Sequence, residues 1–164
     1  HDELRRQRQM CIRDRLVTIA GSSLKTNSKK NYKCLVQMKN YTGEGAYLII
    51  SLVNNEGKYL ETLYVQGEDE EWYHEITSWW KFYGKNKVNI DGISGETLSG
   101  GERSVYMLSI DKSKIANGFK LRFETAVEDK NYYEKDLEIT IDELNTETKY
   151  NGTGFIRYVR MIDN

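Results

Sequence analysis

Apolar and polar residues alternate over residues 32–39. Tyr32, Cys34, Val36 and Met38 fall on one side and Lys33, Leu35, Gln37 and Lys39 on the other, the period of a strand with one face toward a core. Residues 46–53 read Ala-Tyr-Leu-Ile-Ile-Ser-Leu-Val, apolar on both sides, which predicts a central strand covered on both faces. Asn54-Asn55-Glu56-Gly57 supplies a turn, and residues 59–65 return as the hairpin partner. After Gly67 the period changes. Trp72, Ile76, Trp79 and Tyr83 recur at helical spacing and predict an amphipathic helix over about 69–83, with Asp69, Glu70 and Glu71 at the end where carboxylates favour the helix dipole. Strands resume at 103–110, around Val105, Met107, Leu108 and Ile110. They continue at 119–127, where Leu121, Phe123, Thr125 and Val127 oppose Lys120, Arg122 and Glu124, and close the chain at 132–141 and 155–162. About eight short strands at turn spacing predict a mainly β, antiparallel sandwich with one inserted helix.

Composition agrees: 12 Tyr, 3 Trp and 4 Phe suit strands, although Pro is wholly absent, for which we have no physical account. Residues 5–15 change the picture more. Arg5-Arg6-Gln7-Arg8-Gln9-Met10-Cys11-Ile12-Arg13-Asp14 resembles the translation of a sequencing adapter, so residues 1–15 are set aside from fold reasoning. Residues 16–31 then read as a mobile lead-in holding a short strand candidate, Leu16-Val17-Thr18-Ile19, and residues 32–164 as a single β-sandwich domain. The excluded stretch holds five Arg and three acids. Without it 19 Lys+Arg face 22 Asp+Glu, and the mildly acidic balance, with no basic stripe, argues against a nucleic-acid partner. Cys34 is left as a lone thiol, expected buried and inert, and His74 as the one histidine, so neither a cysteine cluster nor a His-rich metal site is expected. No apolar run reaches the roughly 18 residues of a membrane-spanning helix.

Candidate chemistry gathers in residues 89–101, Asn-Ile-Asp-Gly-Ile-Ser-Gly-Glu-Thr-Leu-Ser-Gly-Gly, which hold four of the chain's 13 glycines. A Gly/Ser cluster of this kind is ordinary connecting loop, and it is equally a backbone that lets another molecule approach closely. Asp91-Gly92-Ile93-Ser94-Gly95-Glu96-Thr97 resembles the Asp-Gly-x-Ser/Thr-Gly-Ala-Thr/Ser sequence at which bacterial flavin transferases attach FMN through a phosphoester. That resemblance implies Thr97 as acceptor, with Asp91, Gly92, Ser94 and Gly95 around it. Glu96 stands where the pattern has Ala and adds a negative charge beside the acceptor. Trp80 or Tyr73, off the helical stripe, would offer a face to a planar ring, while Trp72 and Trp79 pack inward.

Four blocks together resemble the bacterial family known as domain of unknown function 2271. They are Glu61 to Val65, the tryptophans Trp72, Trp79 and Trp80, the loop from Asp91 to Glu102, and Gly118 to Glu124. The resemblance covers roughly residues 32–141. It implies a periplasmic or otherwise extracytoplasmic domain of immunoglobulin-like build, and an association with PepSY-type membrane proteins and flavin transferases. Two functions follow as expectations: a carrier of covalent FMN exchanging electrons with a membrane partner, or a non-catalytic module binding a protein or an envelope ligand through the helix and loop. A stand-alone enzyme is the weaker expectation. His74 could pair with Asp91 and Ser94 or Ser99, but no nucleophile-elbow sequence or metal-ligand spacing is present.

Overall fold

A computed structural model of the chain describes residues 28–86, 93–141 and 148–163. Among these residues nine strands form two sheets. β1 (Lys29–Met38), β5 (Arg103–Asp111), β8 (Tyr150–Asn151) and β9 (Ile156–Asp163) make one, in the order β5-β1-β9-β8. The other is β4-β3-β2-β6-β7, built from β2 (Ala46–Val53), β3 (Tyr59–Gln66), β4 (Ile93–Ser94), β6 (Lys120–Val127) and β7 (Tyr132–Thr140). Every pairing is antiparallel except the two-residue β3–β4 ladder. The period-2 face of β1 turns inward as expected: Tyr32, Cys34, Val36 and Met38 meet Leu48, Ile50 and Leu52 of β2 and Leu121 and Phe123 of β6 in one core between the sheets. Cys34 is fully buried there, and burial pushes its thiol far above its ordinary range.

β2 is buried at all eight positions because its second face, with Tyr47 and Ile49, has a cover of its own. That cover is helical but is not one helix over 69–83. A 3-10 helix, Glu70–Glu75, is capped by the Asp69 carboxylate, which accepts from the Glu71 N–H at 3.1 Å. The chain then leaves helical geometry at Ile76 (φ −85°, ψ 69°) and restarts as α1 (Thr77–Asn86). The break redistributes the aromatics. Tyr73 is buried and donates its hydroxyl to the Gly67 carbonyl at 2.8 Å, so it offers no ligand face, and Trp72 is only half-buried. Trp79 is fully buried and donates Nε1–H to Thr62 Oγ1 at 2.9 Å.

Two further strands depart from expectation. On β5 the inward residues are Tyr106, Leu108 and Ile110, whereas Val105 and Met107 are exposed. On β6 the residues opposing Leu121 and Phe123 are not solvated: Arg122 and Glu124 are buried too. Glu124 accepts from the Tyr59 hydroxyl at 2.8 Å and the Tyr132 hydroxyl at 2.5 Å, and Arg122 pairs with Glu138 and Glu134. Between β5 and β6 the chain forms a short helix, α2 (Lys112–Ala116). At the far end, buried Asp136 on β7 accepts from Thr125 Oγ1 and from the backbone N–H groups of Thr153, Gly154 and Ile156, which ties the two sheets together where β9 begins. The lead-in strand at 16–19 lies outside the described residues.

Candidate functional site

The predicted acceptor loop is held residue by residue. β4 pairs Ile93 and Ser94 with Val65 and Gln66 of β3, which fixes where the loop leaves the sheet. Gly95 follows against Glu68; a β-carbon there would lie 3.3 Å from a Glu68 carboxylate oxygen. Gln66 is buried, accepts from the Tyr106 hydroxyl at 3.0 Å, and donates its amide N–H to the Glu96 carbonyl. Leu98 is buried and exchanges two backbone hydrogen bonds with Ala46, at 2.7 and 2.9 Å, while its carbonyl also accepts from the Tyr41 hydroxyl at 2.5 Å. Thr97 is thus fixed between two tethered neighbours. Its side chain lies over Gly45, where a β-carbon would come within 2.0 Å of Thr97 Oγ1. Ser99 and Glu102 close the loop reciprocally: the Ser99 N–H donates to the Glu102 carboxylate at 2.7 Å and the Glu102 N–H to the Ser99 carbonyl at 3.1 Å. Gly100 packs so tightly that a β-carbon would sit 1.9 Å from the Tyr41 carbonyl oxygen, and Gly101 takes φ +79°.

Beside Thr97 opens a cleft of about 400 Å³ whose walls are Tyr47, Glu68, Asp69, Gly95, Glu96, Thr97 and Ser99. Tyr47 forms its aromatic side. Gly67, at φ +110°, lets the ring lie flat against the backbone, since a β-carbon would stand 2.4 Å from Tyr47 Cδ1. Burial first, and then the charges of Asp69, Glu128, Glu71 and Glu75, raise the Tyr47 hydroxyl above its ordinary value. Behind Tyr47 the aromatics continue edge to face: Tyr47 to Tyr73 at 6.3 Å and Tyr73 to Trp79 at 5.2 Å, with Trp79 stacked on Tyr83 at 4.7 Å. Burial, followed by Glu70 among the nearby charges, lifts the Tyr73 hydroxyl to about 12.

The structure therefore brings Gly95 and Thr97 to one cleft. It does not place Trp80 there. Trp80 is half-buried on α1, packed over Gly84, and reaches the cleft side only through Tyr73, 6.5 Å away. Ser94 is located by its backbone pairing, and Asp91 and Gly92 lie outside the described residues. Sequence reasoning missed Tyr47, Gly45, Gln66 and Tyr41. The one signal was Tyr47 itself, the lone aromatic near the start of a largely aliphatic strand.

For an FMN phosphoester the fit is mixed. The fixed hydroxyl and the cleft volume suit the group. The carboxylates of Glu68, Asp69 and Glu96 do not, because they set like charge beside a phosphate. Among the described residues no cluster of three or more His, Cys, Asp or Glu is arranged to hold a metal ion, and none of the described helices is long and apolar enough to cross a membrane.

A two-layer β domain with a helical cover on one sheet and a tethered Gly/Ser loop at its edge is the class that fold and site define. The chain belongs to the family described as predicted periplasmic protein (DUF2271), whose sequence pattern matches residues 29–158 and whose description assigns it outside the cytoplasm. Comparison with curated proteins and with solved structures gives no match.

Proposed function

We propose that this chain is an extracytoplasmic carrier of FMN bound covalently through a phosphoester at Thr97, loaded by a flavin transferase and exchanging electrons with a PepSY-type membrane protein. The placement of Thr97 carries this reading. Its neighbours on both sides are tied to the sheets, Glu96 through Gln66 and Leu98 through Ala46, and the residue itself lines an open cleft. The backbone held this way offers one hydroxyl oxygen for a bond to phosphorus, and glycine neighbours leave room for a transferase. With a flavin dinucleotide as donor, the new P–O bond forms as the diphosphate P–O bond breaks, the nucleoside monophosphate leaves and the threonine proton is released, with no change of oxidation state. Bound there, the flavin would supply the electron exchange. Tyr47 would offer the cleft's aromatic wall, and Glu68, Asp69 and Glu96 would add negative charge, which opposes gain of an electron nearby.

The same reading takes the two layers as an immunoglobulin-like β-sandwich. In its support, the order β3-β2-β6-β7 sets two hairpins side by side, as in the sheet of that fold whose central strands come from different hairpins, and β1 pairs with β5 in the facing sheet.

The deciding measurement is intact mass and visible absorbance of the chain co-expressed in a periplasm with a bacterial flavin transferase. The expected result is a yellow protein heavier by one FMN, with the increment on a peptide containing Thr97 and absent from Thr97→Ala. A colourless protein of unmodified mass overturns the reading. It would leave the second one, a binding module, for which the three carboxylates on one cleft are the specific support, because they suit a cationic group of a protein or envelope ligand.

A further inference from the structure

Among the described residues four strands end the two sheets, and three of them are blunted in ways that natural sheets use against edge pairing. β4 and β8 are two residues long each. β7 shifts register against β6 and carries exposed Glu134 and Lys135. β5 is different. It is nine residues long, keeps an unbroken register with β1 from Lys29↔Asp111 to Gln37↔Arg103, and has no charged residue, Gly or Pro from Ser104 to Ile110. Among the described residues it pairs with β1 alone. Its outward side chains Val105 and Met107 are 50 % and 54 % exposed, and its flank opens onto a cleft of about 360 Å³ toward Leu63 and Tyr64 of β3.

We propose that β5 is a dimerisation edge: two copies of this chain pair β5 to β5, antiparallel, about a twofold axis at Met107. In that register Arg103 of each copy stands opposite Asp111 of the other, at both ends of the ladder, and Val105 stands opposite Ser109. Residues directly opposite in an antiparallel pair share a face, so outward side chains meet outward ones and Met107 meets its own counterpart. The ends carry the commitment to a second copy. A slip of two residues sets Arg103 against Ser109 or Ser113 and loses both charge pairs, and a slip of one puts the outward row against the buried row. Arg103 is exposed; its Nε–H donates to Gln37 Oε1 on β1 at 2.9 Å and its Nη2 lies 3.5 Å from the Tyr158 hydroxyl, so pairing with Asp111 of the second copy requires the side chain to turn from β1 to the free edge. Asp111 is half-buried at the start of α2 and makes no side-chain cap there. The interface is self-complementary, as a twofold one must be, and it joins the two four-stranded sheets into one of eight, with the Val105 and Met107 pairs beside the axis.

The test is sedimentation equilibrium of the whole chain from low micromolar to near-millimolar concentration. The wild type is expected to show a monomer–dimer equilibrium. Met107→Lys, at an outward position where circular dichroism should show the fold unchanged, places two ammonium groups across the axis and should weaken the dimer by roughly tenfold or more. Arg103→Asp and Asp111→Arg should each weaken it by roughly tenfold, and the two combined in one chain should restore it. A wild type that stays monomeric throughout, or a dimer indifferent to Met107→Lys, overturns the proposal. Charge reversals whose effects add instead of cancelling overturn the Met107-centred register.

Discussion

Glu124 has no exposed surface, yet it lies on the face of β6 that alternation assigns to solvent. Burial raises its carboxyl to about 7, against the hydrogen bonds from Tyr132 and Tyr59 and the nearby charge of Arg122, which pull it down. The sign of the consequence follows from linkage. The folded chain holds this proton more tightly than the unfolded one, whose carboxyl titrates near 4.5, so the stabilisation is fully present below that value and is lost as pH rises through about 7. The loss is on the order of 3 kcal/mol across that window. Glu124→Gln keeps the shape and can still accept from one tyrosine while donating to the other. Denaturant unfolding of both proteins from pH 4 to pH 8 should show the variant gaining on the wild type as pH rises. A difference that does not vary with pH would mean that Glu124 does not titrate in this range.

At the scale of elements, the loop after β4 depends on glycine for space more than for flexibility. Gly100 meets the backbone of Tyr41, which cannot move aside as a side chain could, so Gly100→Ala must shift the loop or open its contact with the segment before β2. The expected cost is about 1–3 kcal/mol, read as a lowered unfolding midpoint, and on the proposed function it is accompanied by reduced flavin loading at Thr97. A glycine-rich cluster marked this loop in the sequence. Its tethers were not legible, because Gln66, Ala46 and Tyr41 reach it from 30 to 57 residues away. β1 was legible because one residue period answers to one cover, and β2 because an apolar run on both faces answers to two; on β6 the alternation marked the strand and its inward face, but not the burial of Arg122 and Glu124 on the other. The helical cover was half legible: an apolar stripe reports which side is buried, and it continues through Ile76 although the backbone does not. β5 was misread because its two faces are both apolar. Tyr106 settles the parity by placing its hydroxyl on Gln66 inside the core, which turns Val105 and Met107 outward.

At the scale of the molecule, the buried apolar side chains among the described residues fall into two clusters of unequal size. The larger lies between the sheets, bounded by strands that share long ladders, with Asp136 bridging from β7 to β9. The smaller lies outside them, where Tyr47, Ile49, Val65 and Ala126 meet Tyr73, Ile76 and Trp79 of the cover. A cover carried on a broken helix, and joined to the sheet by side chains and not by a ladder, should open without unfolding the strands beneath it. Amide hydrogen exchange should therefore proceed in two tiers, with 70–86 exchanging through a smaller opening free energy than β1, β2 and β6. Glu124 lies at the seam between the tiers, hydrogen-bonded to Tyr59, whose ring stacks on Phe82 of α1 at 5.5 Å. Opening the cover rehydrates that carboxyl and removes the penalty on its charge. After correction for the intrinsic pH dependence of exchange, protection of α1 should fall between pH 6 and pH 8 while protection of β1 changes less, and Glu124→Gln should remove most of the difference. If α1 and β1 exchanged with one common free energy at every pH, the cover would be part of the global unfolding unit and Glu124 would act on the whole fold at once.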